Sequence, residues 1–261
     1  LFALPSDAAD PAQMLLTQGA PGWLGVSMDN GGLDGVLVKH VVRTSPADKA
    51  GLREGDRIVR IEGSQVTKPP DVSRLVGTRS AGEKVSVVVS RAGAERSFDV
   101  TLDARPSSDE ILRMDTVGVF APAWTKTTTT SDGPASLASL RGRVVILDFW
   151  ATWCGPCRMI APRLSALQAK YGAQGLSVVG ITTEELEQAA AFKERTQMRY
   201  PIVSDATGKT STAYNVSSLP TLFVIDKRGV VREASVGYDP GRDARIETLV
   251  QTLLAEPAPG K

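Results

Sequence analysis

A chain of 261 residues with 42% apolar side chains is long enough to build two cores, and it has no apolar run of the roughly 18 residues that cross a bilayer. Thirty basic residues nearly cancel 29 acidic ones, so the net charge of +1 points to neither nucleic acid nor an anionic membrane surface as a partner. Two cysteines and a single histidine, His40, fall short of the about four ligands that zinc takes at ordinary spacing, so no metal is expected.

Residues 1–20 are rich in Ala, Pro and Asp, with one apolar patch at Met14-Leu15-Leu16, and read as a flexible lead-in. The opening Leu1-Phe2-Ala3-Leu4-Pro5 is not a signal peptide, and the missing initiator Met leaves room for a leader or membrane tether removed before this point.

From Trp23 to Leu102, short β-branched runs alternate with glycine: Val36-Leu37-Val38, Ile58-Val59-Arg60-Ile61 and Val85-Ser86-Val87-Val88-Val89. This predicts a compact, mainly-β domain. Ser45-Pro46 followed by Gly51 brackets a helix of one or two turns, with a capping residue, a proline in the first turn and a glycine stop. Val72, Leu75 and Val76 predict a second helix over Pro70–Val76, whereas Gly31-Gly32 opens no helix and is a turn. The ordered pieces Trp23-Leu24-Gly25-Val26, Gly35-Val36-Leu37-Val38, Ser45-Pro46-Ala47, Ala50-Gly51-Leu52 and Gly55-Asp56-Arg57-Ile58 resemble a PDZ domain, in particular the bacterial protease-associated type, over about residues 21–104. The resemblance implies that backbone N–H groups of the Trp23–Gly25 turn cradle a peptide's C-terminal carboxylate. Val26-Ser27-Met28 would then take up the peptide as an added strand. Leu24, Val26 and Leu75 would line the pocket for an apolar last residue, and Asp71 would read the residue two places earlier. The same apolar residues could equally be core, leaving a module for packing or dimerisation.

Polar residues around Ala104–Glu110 predict the domain boundary, with a linker over 105–116. Beyond it the pattern changes to strand, long helix, strand, helix, strand: Val144–Phe149, Cys154–Tyr171, Leu176–Ile181, Glu184–Arg195 and Thr221–Ile225, with a last helix over Arg242–Leu254. That is an α/β layer with a sheet covered on both sides. Both cysteines lie at one junction, in Trp153-Cys154-Gly155-Pro156-Cys157, directly after the first strand. A bridge over so short a loop adds little stability. A thiol at a helix start instead meets unpaired N–H groups and the positive end of the dipole, which favour the thiolate. An inert buried pair is the alternative.

Leu147-Asp148-Phe149-Trp150-Ala151-Thr152-Trp153-Cys154-Gly155-Pro156-Cys157-Arg158 resembles the thioredoxin active-site segment, and Leu219-Pro220-Thr221, Gly229 and Gly237 follow in the family's order. Gly118–Leu140, and the block Thr182–Asp205 ending in Tyr200-Pro201-Ile202-Val203-Ser204-Asp205, are similar to the envelope TlpA-type reductases, the first as an N-terminal hairpin. The resemblance implies a thioredoxin-like domain over 117–261 with a central mixed sheet flanked by helices. It needs no cofactor beyond the redox-active disulfide Cys154–Cys157. Cys154 is expected to attack and Cys157 to resolve. Asp148, in an otherwise apolar strand, would have a raised pKa and exchange a proton with Cys157. Trp153 would shield the sulfurs, Trp150 would serve as shield or as core, Gly155 and Pro156 would shape the turn, and Pro220 would be cis between Leu219 and Thr221. Pro156, early in the helix and without an N–H to offer either sulfur, favours a reducing couple. Pro162 interrupts the helix interior.

The expected activity is reduction of disulfides in envelope client proteins, in the periplasm, with an upstream thiol donor and a C-terminal peptide in the PDZ groove. An oxidase or isomerase of the same fold is the first alternative, and a non-enzymatic PDZ scaffold the second.

Overall fold

The computed structural model describes residues 19–124 and 127–258, so the expected lead-in lies almost wholly outside the described residues. The chain divides into two compact units at Ser107/Ser108.

In the first unit, strands β2 (Val26–Asn30), β3 (Val36–Val41), β4 (Arg57–Ile61), β6 (Lys84–Arg91) and β7 (Ala94–Thr101) form an antiparallel sheet in that order, with β5 (Ser64–Gln65) beside β4. Short β1 (Gly22–Trp23) pairs with β8 (Asp103–Ala104). Helix α1 (Pro46–Ala50) starts at Ser45, whose hydroxyl accepts the Asp48 N–H, and stops at Gly51 in the left-handed region, as the Ser-Pro and Gly signals predict. Helix α2 (Pro69–Gly77) turns Val72 and Val76 into the core, where they meet Leu24, Val36, Ile58 and Val87. Here a half-buried Arg91 guanidinium donates to both oxygens of the buried Asp56 at 2.6 and 2.8 Å and holds that carboxyl below its usual range against the opposing effect of burial.

The second unit is built on a six-stranded mixed sheet in the order β14 (Val231–Val236), β13 (Thr221–Ile225), β10 (Val144–Phe149), β11 (Leu176–Thr182), β12 (Ile202–Ser204), β9 (Thr128–Thr129). Central β10 runs parallel to β11 and antiparallel to β13. Its residues alternate between two cores. Val144 and Ile146 pack with helices α4 (Gly155–Tyr171), α5 (Leu186–Thr196) and α7 (Pro240–Ala255), while Val145, Leu147 and Phe149 pack with Tyr214 and Phe223 on the other face. A short helix, α6 (Lys209–Ala213), is capped by Asp205 through the Thr210 and Ser211 N–H groups.

Two expectations change. The linker expected over 105–116 is helix from Ser108: α3 (Ser108–Thr116) lies on edge strand β14, with Leu112 buried beside Val231 and Ala234. The Asp109 carboxylate accepts the Val236 N–H at 2.7 Å and Arg113 pairs with Glu233, so the polar residues that read as linker are the groups that dock the helix. The hairpin expected over Gly118–Leu140 is also not formed among the described residues. Phe120 bridges to Val230 and Thr128–Thr129 pairs with β12, so the two ends of the segment join opposite sides of the sheet.

Candidate functional site

The dithiol sits where β10 gives way to α4. The Trp150 N–H donates to Ile181 and the Cys154 N–H to Ala151, and this turn brings the chain to the helix start with Cys154 as its N-cap. The Cys154 Sγ accepts the Cys157 N–H at 3.2 Å, the place a capping oxygen would take. The sulfur thus lies at the positive end of a 17-residue helix. Cys154 and Cys157 are joined by a disulfide with Cα atoms 5.3 Å apart. Pro156 in the first turn removes an N–H that would have had no helical partner.

Cys154 is 4% exposed and Cys157 2%, so the residue expected to attack is the more open of a buried pair. The surface around it is exposed, namely Trp153, Gly155 and Pro156, and apart from its chain neighbours and its own helix backbone nothing stands within 4 Å of where a Gly155 Cβ would be. Trp153 itself is 72% exposed and lies in neither core. Trp150 is the buried one, with its ring 5.4 Å from Phe192.

On the β10 face that carries Ile146 and Trp150, which share a core with both cysteines, lies Asp148 with no solvent exposure. Burial pushes its carboxyl up to about 7, opposed by a hydrogen bond that the Tyr200 hydroxyl donates to Oδ2 at 2.9 Å. A carboxyl that ionises near neutrality can take a proton from a neighbouring thiol and return it. The Leu219–Pro220 peptide is cis, and the loop enters β13 at Thr221, whose register partner is Phe149 at the end of β10. That register sets the loop beside the dithiol turn.

Sequence reasoning missed two residues here. Glu184 receives the Thr152 N–H at 2.7 Å and the Thr152 hydroxyl at 2.6 Å, which clamps the turn just before Cys154. Tyr200 reaches Asp148 across 52 positions, and only its place beside Pro201 drew notice in the sequence. Among the described residues no group of three or more His, Cys, Asp or Glu side chains could hold a metal, and no helix is long and apolar enough to cross a membrane.

In the first unit a groove of about 270 Å³ runs between edge strand β2 and α2. Among the described residues β2 pairs only with β3, so its outer edge is open. Trp23, Leu24 and Gly25 form the head of the groove, and Val26 and Met28 form one wall. Ser27, between them on the strand, is exposed and is not part of the lining. The opposite wall corrects the expectation of Leu75: Val72 and Val76, one turn apart on one stripe, face the groove, and Leu75 lies off it. Asp71 is also not a groove residue. Its carboxylate accepts the Thr67 and Lys68 N–H groups at 3.2 and 3.1 Å, which caps α2 and holds the carboxyl below its usual range. Gly25 is required by its own backbone, with φ +86° and a would-be Cβ only 2.2 Å from that of Ser45. Arg105, which the sequence assigns to the linker, lines the groove and is the one cation among the described lining residues.

Comparison with known proteins agrees with this division. Residues 117–234 match the AhpC/TSA family and residues 22–102 match the PDZ domain. The thioredoxin-like protein YneN of Bacillus subtilis is 38% identical over 113 residues, which cover 42% of this chain and 65% of that protein. The thiol-disulfide oxidoreductase ResA of Geobacillus kaustophilus is 38% identical over 102 residues, covering 39% and 59%. The chain thus spans about three fifths of the length of these curated relatives. A crystal structure from Chlorobium tepidum, described as a thiol:disulfide interchange protein DsbE, is 34% identical with a TM-score of 0.50, and the match covers 53% of this chain and 98% of that one.

Proposed function

We propose, for a chain that belongs to the thioredoxin-like thiol-disulfide oxidoreductases and carries a PDZ domain ahead of that fold, that it reduces disulfides in client proteins of the cell envelope. In this reading the PDZ groove holds a client by an apolar C-terminus. The observation that carries the first part is the placement of Cys154 as the N-cap of α4, its sulfur accepting the Cys157 N–H, with a buried carboxyl on the same side of the sheet.

The chemistry follows from that placement. In the reduced protein the Cys154 thiolate attacks one sulfur of a client disulfide. A Cys154–client bond forms, and the second client sulfur leaves with the electron pair of the broken S–S bond. Cys157 then gives its proton to Asp148, and its sulfur attacks Cys154 Sγ, closing the Cys154–Cys157 disulfide and releasing the first client sulfur. Two electrons pass from the dithiol to the client, and an upstream dithiol donor restores them. Pro156 offers no N–H to stabilise the thiolates, which supports a potential near the −270 mV of thioredoxin rather than the roughly −120 mV of a strong oxidant.

For the groove, the support is the open β2 edge, the apolar walls and the Leu24 and Gly25 N–H groups, neither of which donates to a protein acceptor among the described residues. Only three residues, 105–107, join β8 to α3, so a client bound in the groove is held at an effective concentration up to the millimolar range.

Trapping tests the assignment. Reduced Cys157→Ser protein should accumulate mixed disulfides on Cys154 in extracts of the native envelope, and Cys154→Ser should accumulate none and lose insulin-disulfide reduction. An absence of trapped species overturns the reductase reading, and a measured potential above about −180 mV transfers it to an oxidase or isomerase.

A further inference from the structure

We infer that Tyr200 is a positioning residue for this reduction: its hydroxyl holds Oδ2 of Asp148, leaving Oδ1 as the oxygen that takes the proton of Cys157. The inference rests on the reductase reading and adds to it a residue outside the dithiol segment.

Three observations meet at one place. The Tyr200 hydroxyl donates to Asp148 Oδ2 at 2.9 Å, with both side chains essentially without solvent exposure, while Asp148 Oδ1 has no protein partner among the described residues. The two oxygens of the carboxyl are therefore unequal, one engaged and one open to a proton. Second, the contact is built by the sheet. The Gly180 N–H donates to the Pro201 carbonyl at 2.9 Å, which pins the residue after Tyr200 against β11, and Gly180 is the register partner of Asp148. Third, Gly180 supplies the room. A Cβ there would stand 3.2 Å from Tyr200 Cε2 and 2.8 Å from Trp150 Nε1, so both rings lie over the glycine, next to the carboxyl.

Among the described residues Tyr200 is the group that donates to Asp148; the Trp150 indole N–H, over the same glycine, makes no hydrogen bond. Its neighbours across the sheet are Gly180 on β11 and Leu222 on β13, neither of them titratable. Helix α4 contributes Cys157 and Ile160 to this core, α5 contributes Phe192, and α7 contributes Ile246 and Val250. The other fully packed tyrosine of this core, Tyr171, directs its hydroxyl to Glu247 instead. Among the described residues no cation acts on the carboxyl, so the phenol stabilises its ionised form, while burial favours the neutral acid. In the resolving step the Cys157 S–H bond breaks and its proton goes to Oδ1. The electron pair left on sulfur attacks Cys154 Sγ, and the client sulfur departs with the pair of the broken S–S bond. Before this step Asp148 is the anion and the Tyr200 hydrogen bond to it is charge-assisted; on taking the proton the carboxyl becomes neutral and that bond weakens.

The test compares the full chain with Tyr200→Phe. Infrared difference spectra across pH on the oxidised protein read the protonated Asp148 carbonyl without any client, with Asp148→Asn identifying the band. Tyr200→Phe should move its midpoint upward by about one pH unit, and client reduction should slow about tenfold below the midpoint while keeping its alkaline plateau. An unchanged carboxyl midpoint overturns the inference, as does a uniform rate loss at every pH. If Tyr200→Phe does not fold, 3-fluorotyrosine at position 200, a stronger donor, should move the midpoint downward; no movement overturns the inference just as well. A wild-type protein that titrates as described but reduces no client would sink the reductase reading and leave the Tyr200–Asp148 pairing standing.

Discussion

At the scale of single residues, the carboxyl of Asp148 controls two separate properties. Its pKa near 7 lies well above the ordinary 3.9 or so, because burial disfavours the charge. Below about pH 4 it is protonated in both folded and unfolded chains and costs nothing. As pH rises toward 7 the unfolded chain releases the proton while the folded one keeps it, so stability falls across that window and is level above it. Asp148→Asn should therefore flatten the stability–pH curve between about pH 4 and 7. The variant should gain on the order of 4 kcal/mol relative to wild type at pH 8, read by urea unfolding of the oxidised protein. The same substitution should slow client reduction about 10²-fold at pH 7 and remove the inflection near neutrality from the rate profile. A variant that lost rate but kept the inflection would place the titrating group elsewhere.

At the scale of elements, two contacts set the geometry of loops that their own sequences do not determine. The Glu184 carboxylate takes both the N–H and the hydroxyl of Thr152, and so fixes the turn that presents Cys154. Glu184→Ala should cost about 1.5 kcal/mol of stability in thermal or urea unfolding and lower the alkylation rate of reduced Cys154. In the first unit, the Asp71 carboxylate is spent on the first turn of α2, which forms a wall of the groove. Asp71→Ala should lower the melting temperature of that unit and weaken all peptides alike, with no change in preference two places before the C-terminus. A change in that preference would restore Asp71 to the ligand. Val76→Ala, which removes two buried methyl groups from the shared wall of core and groove, should cost about 2 kcal/mol.

At the scale of the whole molecule, a peptide module and a dithiol carried on one chain predict substrate choice rather than a faster chemical step. A client ending in a free apolar carboxylate should be reduced at lower concentration than the same client amidated at its C-terminus. A competing free peptide should slow the first and leave the second unchanged, measured as initial rates under limiting client. Equal rates for the two clients would leave the groove to a packing role. Small disulfides, which carry no C-terminal peptide for the groove, should be indifferent to the peptide.

What the sequence determined by itself is what short-range chemistry controls. A proline and two cysteines at the mouth of a helix, a lone Asp in an apolar strand, the Ser-Pro and Gly limits of α1 and the apolar runs of the sheets all act within a few residues of themselves. Their positions were legible from the chain, as were the two-part architecture and the dithiol. The tertiary structure decided which groups meet at a distance. Tyr200 finds Asp148 because the register of β10 and β11 places Gly180 between them; Arg105 joins the groove because β8 pairs with β1; and Ser108–Thr116 is helix because edge strand β14 offers it an N–H and an apolar strip. Such contacts depend on strand pairing across tens of residues, and no local pattern encodes them.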